Sequence, residues 1–264
     1  MNLRSLIMEP ELLDMDVEDA ERIKRHVKII AKKPMLRGVF KEFYDKCISL
    51  DIRYFGDTKG KRVELGAGVS MFKTFYPEIM VTDIKPADHL DAIVDAQAMP
   101  FEDSSIRTLY GLSFFHHLPD PDLFFKEALR VLSPGGGFIL LDPYYGPVAS
   151  QFYKWLHATE IYDKSDPHWG SITRGAMRNA NQALSYIVFQ RDRKRFNTLF
   201  PDLEIVYEKP ESNYLRYFFS GGLNYRSLLP NFFIGPLKLL EKALTPILPW
   251  TALYQMIVIR KRHP

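Results

Sequence analysis

Between residues 11 and 55, apolar side chains recur at helical spacing: Ile23, Val27 and Ile30, then Leu36, Phe40, Phe43 and Cys47, with Pro34 dividing the series. This period predicts two amphipathic helices ahead of the first strand, forming a helical cap over residues 1–58. From Lys61 the texture changes. Short apolar runs at 62–65, 79–84, 92–94, 108–112, 138–141, 203–207 and 254–259 alternate with helical segments. The alternation predicts an α/β fold, a Rossmann-like, mostly parallel seven-stranded sheet with helices on both faces. Helices are expected at 70–76, 123–132, 149–159 and 191–200. Pro121 opens the second of these, and the run Ser133-Pro134-Gly135-Gly136-Gly137 closes it.

Two segments exceed what a minimal sheet needs, 144–200 and 211–250, and both are rich in aromatic residues. They are expected to form insertions above the carboxyl ends of the strands, where open α/β sheets place ligands. No repeat or Gly/Ser linker divides the chain, so residues 1–264 are read as one domain with a core at 60–143.

Composition narrows the function classes. The 264 residues carry 35 Lys and Arg against 32 Asp and Glu, a formal net charge of +3, so no strong field recruits nucleic acid or an anionic membrane over distance. A basic surface would have to be local. Cys47 is the single cysteine, which excludes an internal disulfide or multi-cysteine zinc site and fits a core thiol in a reducing compartment, the cytoplasm. Glu9 interrupts the N-terminal segment before any apolar run of useful length, unlike a secretory signal. The longest uncharged stretch, 243–259, is at the low limit for a membrane span. Pro246, Pro249, Thr251 and Gln255 make it read as a loop followed by a buried strand.

The chemistry begins at Glu64-Leu65-Gly66-Ala67-Gly68, where a strand ends in a small-residue turn. Glycine admits φ > 0 and close approach of a ligand to the backbone, and free N–H groups at a helix start favour a negative group. Asp83 ends the next strand, where a carboxylate accepts both hydrogen bonds of a ribose diol. A dinucleotide fingerprint needs a third glycine at position 71, and the chain has Met71. An NAD(P)-dependent oxidoreductase is therefore the alternative, not the first reading. A non-catalytic cofactor-binding or membrane-surface module, with peripheral membrane contact through 211–250, is the non-enzymatic alternative.

Five ordered motifs carry a family resemblance: Glu64 to Gly68, Asp83, Asp95-Ala96 with Met99-Pro100-Phe101, the run Ser113 to Asp120, and Glu127 to Gly136. Over roughly residues 60–143 they resemble the class I S-adenosylmethionine-dependent methyltransferases of the "methyltransferase type 11" branch. The resemblance implies a seven-stranded sheet whose last strand is antiparallel, with S-adenosyl-L-methionine as cofactor. It implies that Glu64 and the Gly66-Ala67-Gly68 backbone face the methionine end and that Asp83 holds the ribose hydroxyls. Ile84 would pack on adenine, Asp95 and Ala96 would meet its amino edge, and Ser113 would lie beside the methionyl group. Ser70 departs from the pattern, since many relatives have a third glycine there. More loosely, Tyr144 through His157 and Glu160, with Ser220-Gly221-Gly222, resemble methyltransferases found with bacterial polysaccharide biosynthesis.

Methyl transfer from a sulfonium is an in-line displacement that needs alignment and exclusion of water. A hydroxyl acceptor also needs a general base, and His116 and His117 follow the fourth strand directly. His157 and Glu160, three apart on an expected helix, either line the acceptor pocket with Tyr144 and Arg174 or pair at the surface. His168 beside Trp169 sits in a loop that would serve as a lid, and His26, His89 and His263 are expected to be solvated. No His/Cys/carboxylate spacing marks a metal site. Asp142-Pro143-Tyr144-Tyr145 follows the fifth strand and not the fourth, the wrong place for the motif of nucleic-acid amino methyltransferases. The expected activity is thus O-methylation of a small-molecule or saccharide acceptor, with no nucleic-acid partner.

Overall fold

A computed structural model of the chain describes residues 7–13, 15–16, 19, 21–156, 160–170 and 180–263. Its helices are α1 (Glu21–Ala31), α2 (Pro34–Phe55), α3 (Phe72–Phe75), α4 (Pro121–Val131), α5 (Pro147–Leu156), α6 (Leu184–Tyr186), α7 (Arg193–Leu199), α8 (Tyr214–Phe219), α9 (Ile234–Ala243) and α10 (Leu248–Thr251). The strands are β1 (Lys61–Glu64), β2 (Met80–Asp83), β3 (Ala92–Ile93), β4 (Ile106–Leu112), β5 (Leu132–Pro143), β6 (Leu203–Pro210) and β7 (Tyr254–Lys261). Pro34 starts α2, because the N–H it lacks has no intrahelical partner at the first position.

The seven strands form one sheet in the order β3-β2-β1-β4-β5-β7-β6. β7 runs antiparallel to both neighbours, and the pairs among β1 to β5 are parallel. Register explains the two buried faces. Tyr254 and Met256 share a face because side chains alternate along a strand. They meet Phe43 (5.8 Å between ring centroids) and Cys47 (4.0 Å between sulfurs) of α2. Phe138 pairs with Ile259 on the opposite face and packs against Phe124 and Phe125 of α4. Asp51, fully buried on α2, ties this helix to the sheet by accepting from Arg107 (2.8 and 3.2 Å) and from the Thr108 hydroxyl.

Several expectations need correction. β5 is longer than 138–141, because 133–137 is extended and not a terminating turn, with a register shift between Ile106 and Thr108 of β4. α3 is a single turn, shorter than 70–76. The stretch read as a loop before β7 holds a 3-10 turn at Thr245–Ile247 and α10. A π-helical turn, Ile187–Arg191, precedes α7. His26 is not solvated: burial, then the Arg22 charge, pushes its imidazole down to about 4. Among the described residues, no helix is long and apolar enough to cross a membrane.

Candidate active site

The chain passes from β1 to β2 on one side and returns from β3 to β4 on the other side of β1, so the strand order reverses between β1 and β4 and a crevice opens at their carboxyl ends. The glycine loop sits there. Leu65 N–H donates to Tyr110 O (2.8 Å), Ala67 N–H to Thr82 O (3.0 Å) and Gly68 N–H to Asp83 Oδ2 (2.8 Å). Gly66 and Gly68 both adopt left-handed backbone, φ +61 and +52. Their surroundings differ. A Cβ on Gly66 would strike the Phe114 ring, whereas a Cβ on Gly68 would meet nothing within 4 Å.

Glu64, 1% exposed, closes the floor of the crevice. Burial, reinforced by the Asp83 charge, raises its carboxyl to about 8 despite a hydrogen bond with Ser70. Its Oε2 has no hydrogen-bond partner. Ser70, the departure from the glycine pattern, has work of its own: its Oγ accepts from Phe72 N–H (3.0 Å) and lies 3.2 Å from the Tyr44 hydroxyl. Tyr44 in turn accepts from Met71 N–H (3.0 Å), so α2 buttresses the loop. His89, expected to be solvated, instead places Nε2 at 2.8 Å from Gly68 O.

The β2 and β3 ends continue this rim. Asp83 Oδ1 accepts from Lys85 N–H (2.9 Å), and Ile84 beside it is 56% exposed. Asp95 Oδ1 accepts from Gln97 N–H (2.8 Å), next to buried Ala96. Ser113, exposed at the end of β4, has φ +52, a conformation a non-glycine residue holds only at a cost of about 1–2 kcal/mol. Its N–H donates to Leu141 O (2.7 Å), which anchors the turn to β5.

The 3-10 turn Phe115–His117 then brings in the histidines. His116 is buried, with Nδ1 2.7 Å from Asp142 Oδ1 and Nε2 3.5 Å from Glu160 Oε2. Asp142 also accepts from the Ser185 hydroxyl. Burial would lower the imidazole's affinity for a proton, but Asp142 and then Glu160 outweigh it and raise His116 to about 10. A group already charged at neutral pH does not accept a proton there, so the reading of His116 as a base is corrected. His117 is half-buried, its ring 4.2 Å from that of His116.

The raised value has a consequence for stability. The folded chain holds the His116 proton more tightly than the unfolded chain, so this stabilisation is complete below about 6.5 and is lost as pH rises towards about 10. The melting temperature should fall across that window, and His116→Gln should flatten the profile. An identical slope in the variant would assign the loss to other groups.

Glu160 is not on a helix, since α5 ends at Leu156, and its side chain is 6% exposed, so it is no surface partner. His157 and Arg174 lie outside the described residues. Candidate ligand atoms of His116, His117 and Glu160 lie within 4.8 Å of one another, a grouping that spacing rules missed because Glu160 arrives from another segment. Tyr144 is 8% exposed and packs on Tyr145 (4.5 Å between centroids), which packs on Tyr186 (5.1 Å). Beside them a cleft of about 280 Å³ is lined by Ser150, Lys154, Tyr162, Asp163, Lys164 and Ser165. The expected lid is pinned, because Trp169 is buried and donates to Asp192 (2.9 Å).

Sequence reasoning missed Tyr44, His89, Ser185 and Lys164 as neighbours of the site. Tyr44 carried no distinguishing signal within α2. Asp142 and His116 were each visible at a strand end, but their pairing was not.

Residues 76–140 match the methyltransferase domain family, a span from the approach to β2 through most of β5. A sterol 4-C-methyltransferase of Caenorhabditis elegans is 40% identical over 70 residues, covering 25% of this chain and 21% of that protein. A sarcosine/dimethylglycine N-methyltransferase of Halorhodospira halochloris is 40% identical over 58 residues, covering 21% of each. The matches thus span about a fifth of these curated relatives. Among solved structures, geranyl diphosphate C-methyltransferase from Streptomyces coelicolor A3(2) aligns with a TM-score of 0.46 and 14% identity over 97% of this chain and 89% of that one. The matched domain lies within a seven-stranded sheet whose last strand is antiparallel, as the five motifs implied, and over residues 76–140 the chain is similar to the methyltransferase domain family.

Proposed function

We propose that the chain transfers a methyl group from adenosylmethionine to an oxygen of a small-molecule acceptor, with saccharides as one acceptor class, in the crevice above β1, β2 and β4. The observation that carries this reading is the open space at Gly68, whose N–H donates to Asp83, on the loop that follows buried Glu64 with its unpartnered oxygen. These residues fit the cofactor: a left-handed glycine with free space, a strand-end carboxylate, and a buried acid with one unpartnered oxygen for a cationic group.

Adenosylmethionine, when bound, supplies an electrophilic methyl group on a sulfonium. Glu64 and the Gly66-Ala67-Gly68 backbone hold the methionyl end, and Ser113 flanks it. Burial raises the Glu64 carboxyl to about 8, and a bound ammonium would lower it again. Asp83 accepts from the ribose hydroxyls, Ile84 covers adenine, and Asp95 with Ala96 meets the amino edge. His117 takes the acceptor's hydroxyl proton, while His116, held by Asp142 and Glu160, positions the turn. Tyr144, Glu160 and the cleft at Lys164 line the acceptor side. The relatives act on small molecules by their names, which supports a small acceptor; the choice of oxygen rests on the histidine pair.

Titration calorimetry with S-adenosylhomocysteine and with NAD tests the cofactor, and acceptor screening with a radiolabelled methyl donor tests the reaction. Binding of NAD alone would overturn both. Asp83→Ala should weaken adenosylhomocysteine about 30- to 1000-fold, from two lost charge-assisted bonds and a loosened Gly68. Unchanged calorimetric affinity would remove Asp83 from the ribose site.

A further inference from the structure

The outer face of α9 has the polarity of an interior. Pro236, Leu239, Leu240 and Ala243 fall on one stripe at helical spacing and are all exposed, Leu239 at 72%, while the opposite face buries Leu237 and Glu241. The stripe continues on both sides. Phe232 precedes it at 74% exposure, and Ile247 and Trp250 (58%) follow it. α10 packs against α5, which exposes Val148 and Trp155 (78%). An apolar run of this extent marks an interaction surface, since a monomer in water does not ordinarily leave it uncovered.

Within residues 220–251 the exposed charges have one sign. Between residues 220 and 251 the exposed charged side chains are Arg226, Lys238 and Lys242, with Lys238 also reaching Glu42 at 3.0 Å. The one acid of the segment, Glu241, is buried and paired with Arg216 (2.6 Å). Lys154 adds an exposed cation on α5. A second copy of the chain would bring two like-charged rims together, which costs association energy. Indole rings partition to the headgroup boundary of a bilayer, and cations beside an apolar stripe are the signature of a helix lying in that plane.

We propose that this face docks on an anionic lipid bilayer. Trp155, Phe232, Leu239 and Trp250 enter the headgroup boundary, and Arg226, Lys238 and Lys242 meet lipid phosphates. The modest net charge of +3 leaves local contact, not long-range attraction, to hold the chain there. Docking is independent of methyl transfer and stands or falls without it.

Co-sedimentation of the full chain with phosphatidylcholine vesicles, with and without phosphatidylglycerol, tests the docking. The chain should sediment with phosphatidylglycerol vesicles. The exposed double substitution Leu239→Ser/Trp250→Ser should lower the partition coefficient about tenfold or more while leaving the melting temperature unchanged. Arg226→Gln/Lys242→Gln should abolish the preference for phosphatidylglycerol. The docking is overturned if the chain stays in the supernatant with both vesicles, or if the apolar substitutions leave sedimentation intact. It is equally overturned if light scattering shows a dimer that Leu239→Ser/Trp250→Ser dissociates while vesicles bind neither form.

Discussion

Gly66→Val is expected to eliminate measurable adenosylhomocysteine binding, a loss of at least about 1000-fold, or roughly 4 kcal/mol. At φ +61 a β-branched residue is strained whatever the space around it. The new side chain would also run into the Phe114 ring, which cannot retreat: it is 9% exposed and packs on Gly111, where even a Cβ would stand 2.7 Å from Phe114 Cδ1. The loop must therefore move, carrying Gly68 N–H away from Asp83. The clash thus involves the protein's own aromatic ring, whereas the open space lies at Gly68. Gly68→Ala provides the contrast. Its Cβ meets no protein atom, so it should cost only the left-handed backbone penalty of about 1–2 kcal/mol in stability, yet still lower cofactor affinity. A Gly66→Val protein with wild-type calorimetric affinity would remove this loop from the site.

His117→Ala is expected to lower kcat about 100- to 10,000-fold with cofactor affinity nearly intact, because general-base help acts chiefly in the transition state. The decline of activity on the acidic side of the pH profile should disappear with the imidazole. His116→Ala should behave differently. It removes the cation between Asp142 and Glu160, leaving buried carboxylates without their counter-charge, so its first effect is lower stability. Single-turnover rates across pH 5 to 9, measured beside melting temperatures, separate the two roles. If His117→Ala keeps most of its activity and its acidic limb, alignment alone accounts for catalysis.

Much of the crevice rim was legible in the chain. Alternating apolar runs located all seven strands, because each strand's facing depends on its own side-chain period. Asp83, Asp95 and Ser113 could be placed at one rim because parallel strands carry their ends to the same edge of the sheet. The glycine loop was legible for a similar reason, since left-handed backbone is a local demand that glycine meets.

The surroundings of the histidine pair were not legible in that way. Glu160 reaches His116 and Tyr44 reaches Ser70 across segments that no period connects. The charge of His116 depends on two carboxylates from separate segments acting against burial, and His26 goes the opposite way for want of such partners. The spacing of α9 likewise shows an apolar stripe but not whether it faces the core or solvent; the buried Arg216–Glu241 pair turns that stripe outward. Backbone conformation and strand facing are written into near neighbours along the chain. Solvation and charge are sums over neighbours in space, and these arise when the elements pack.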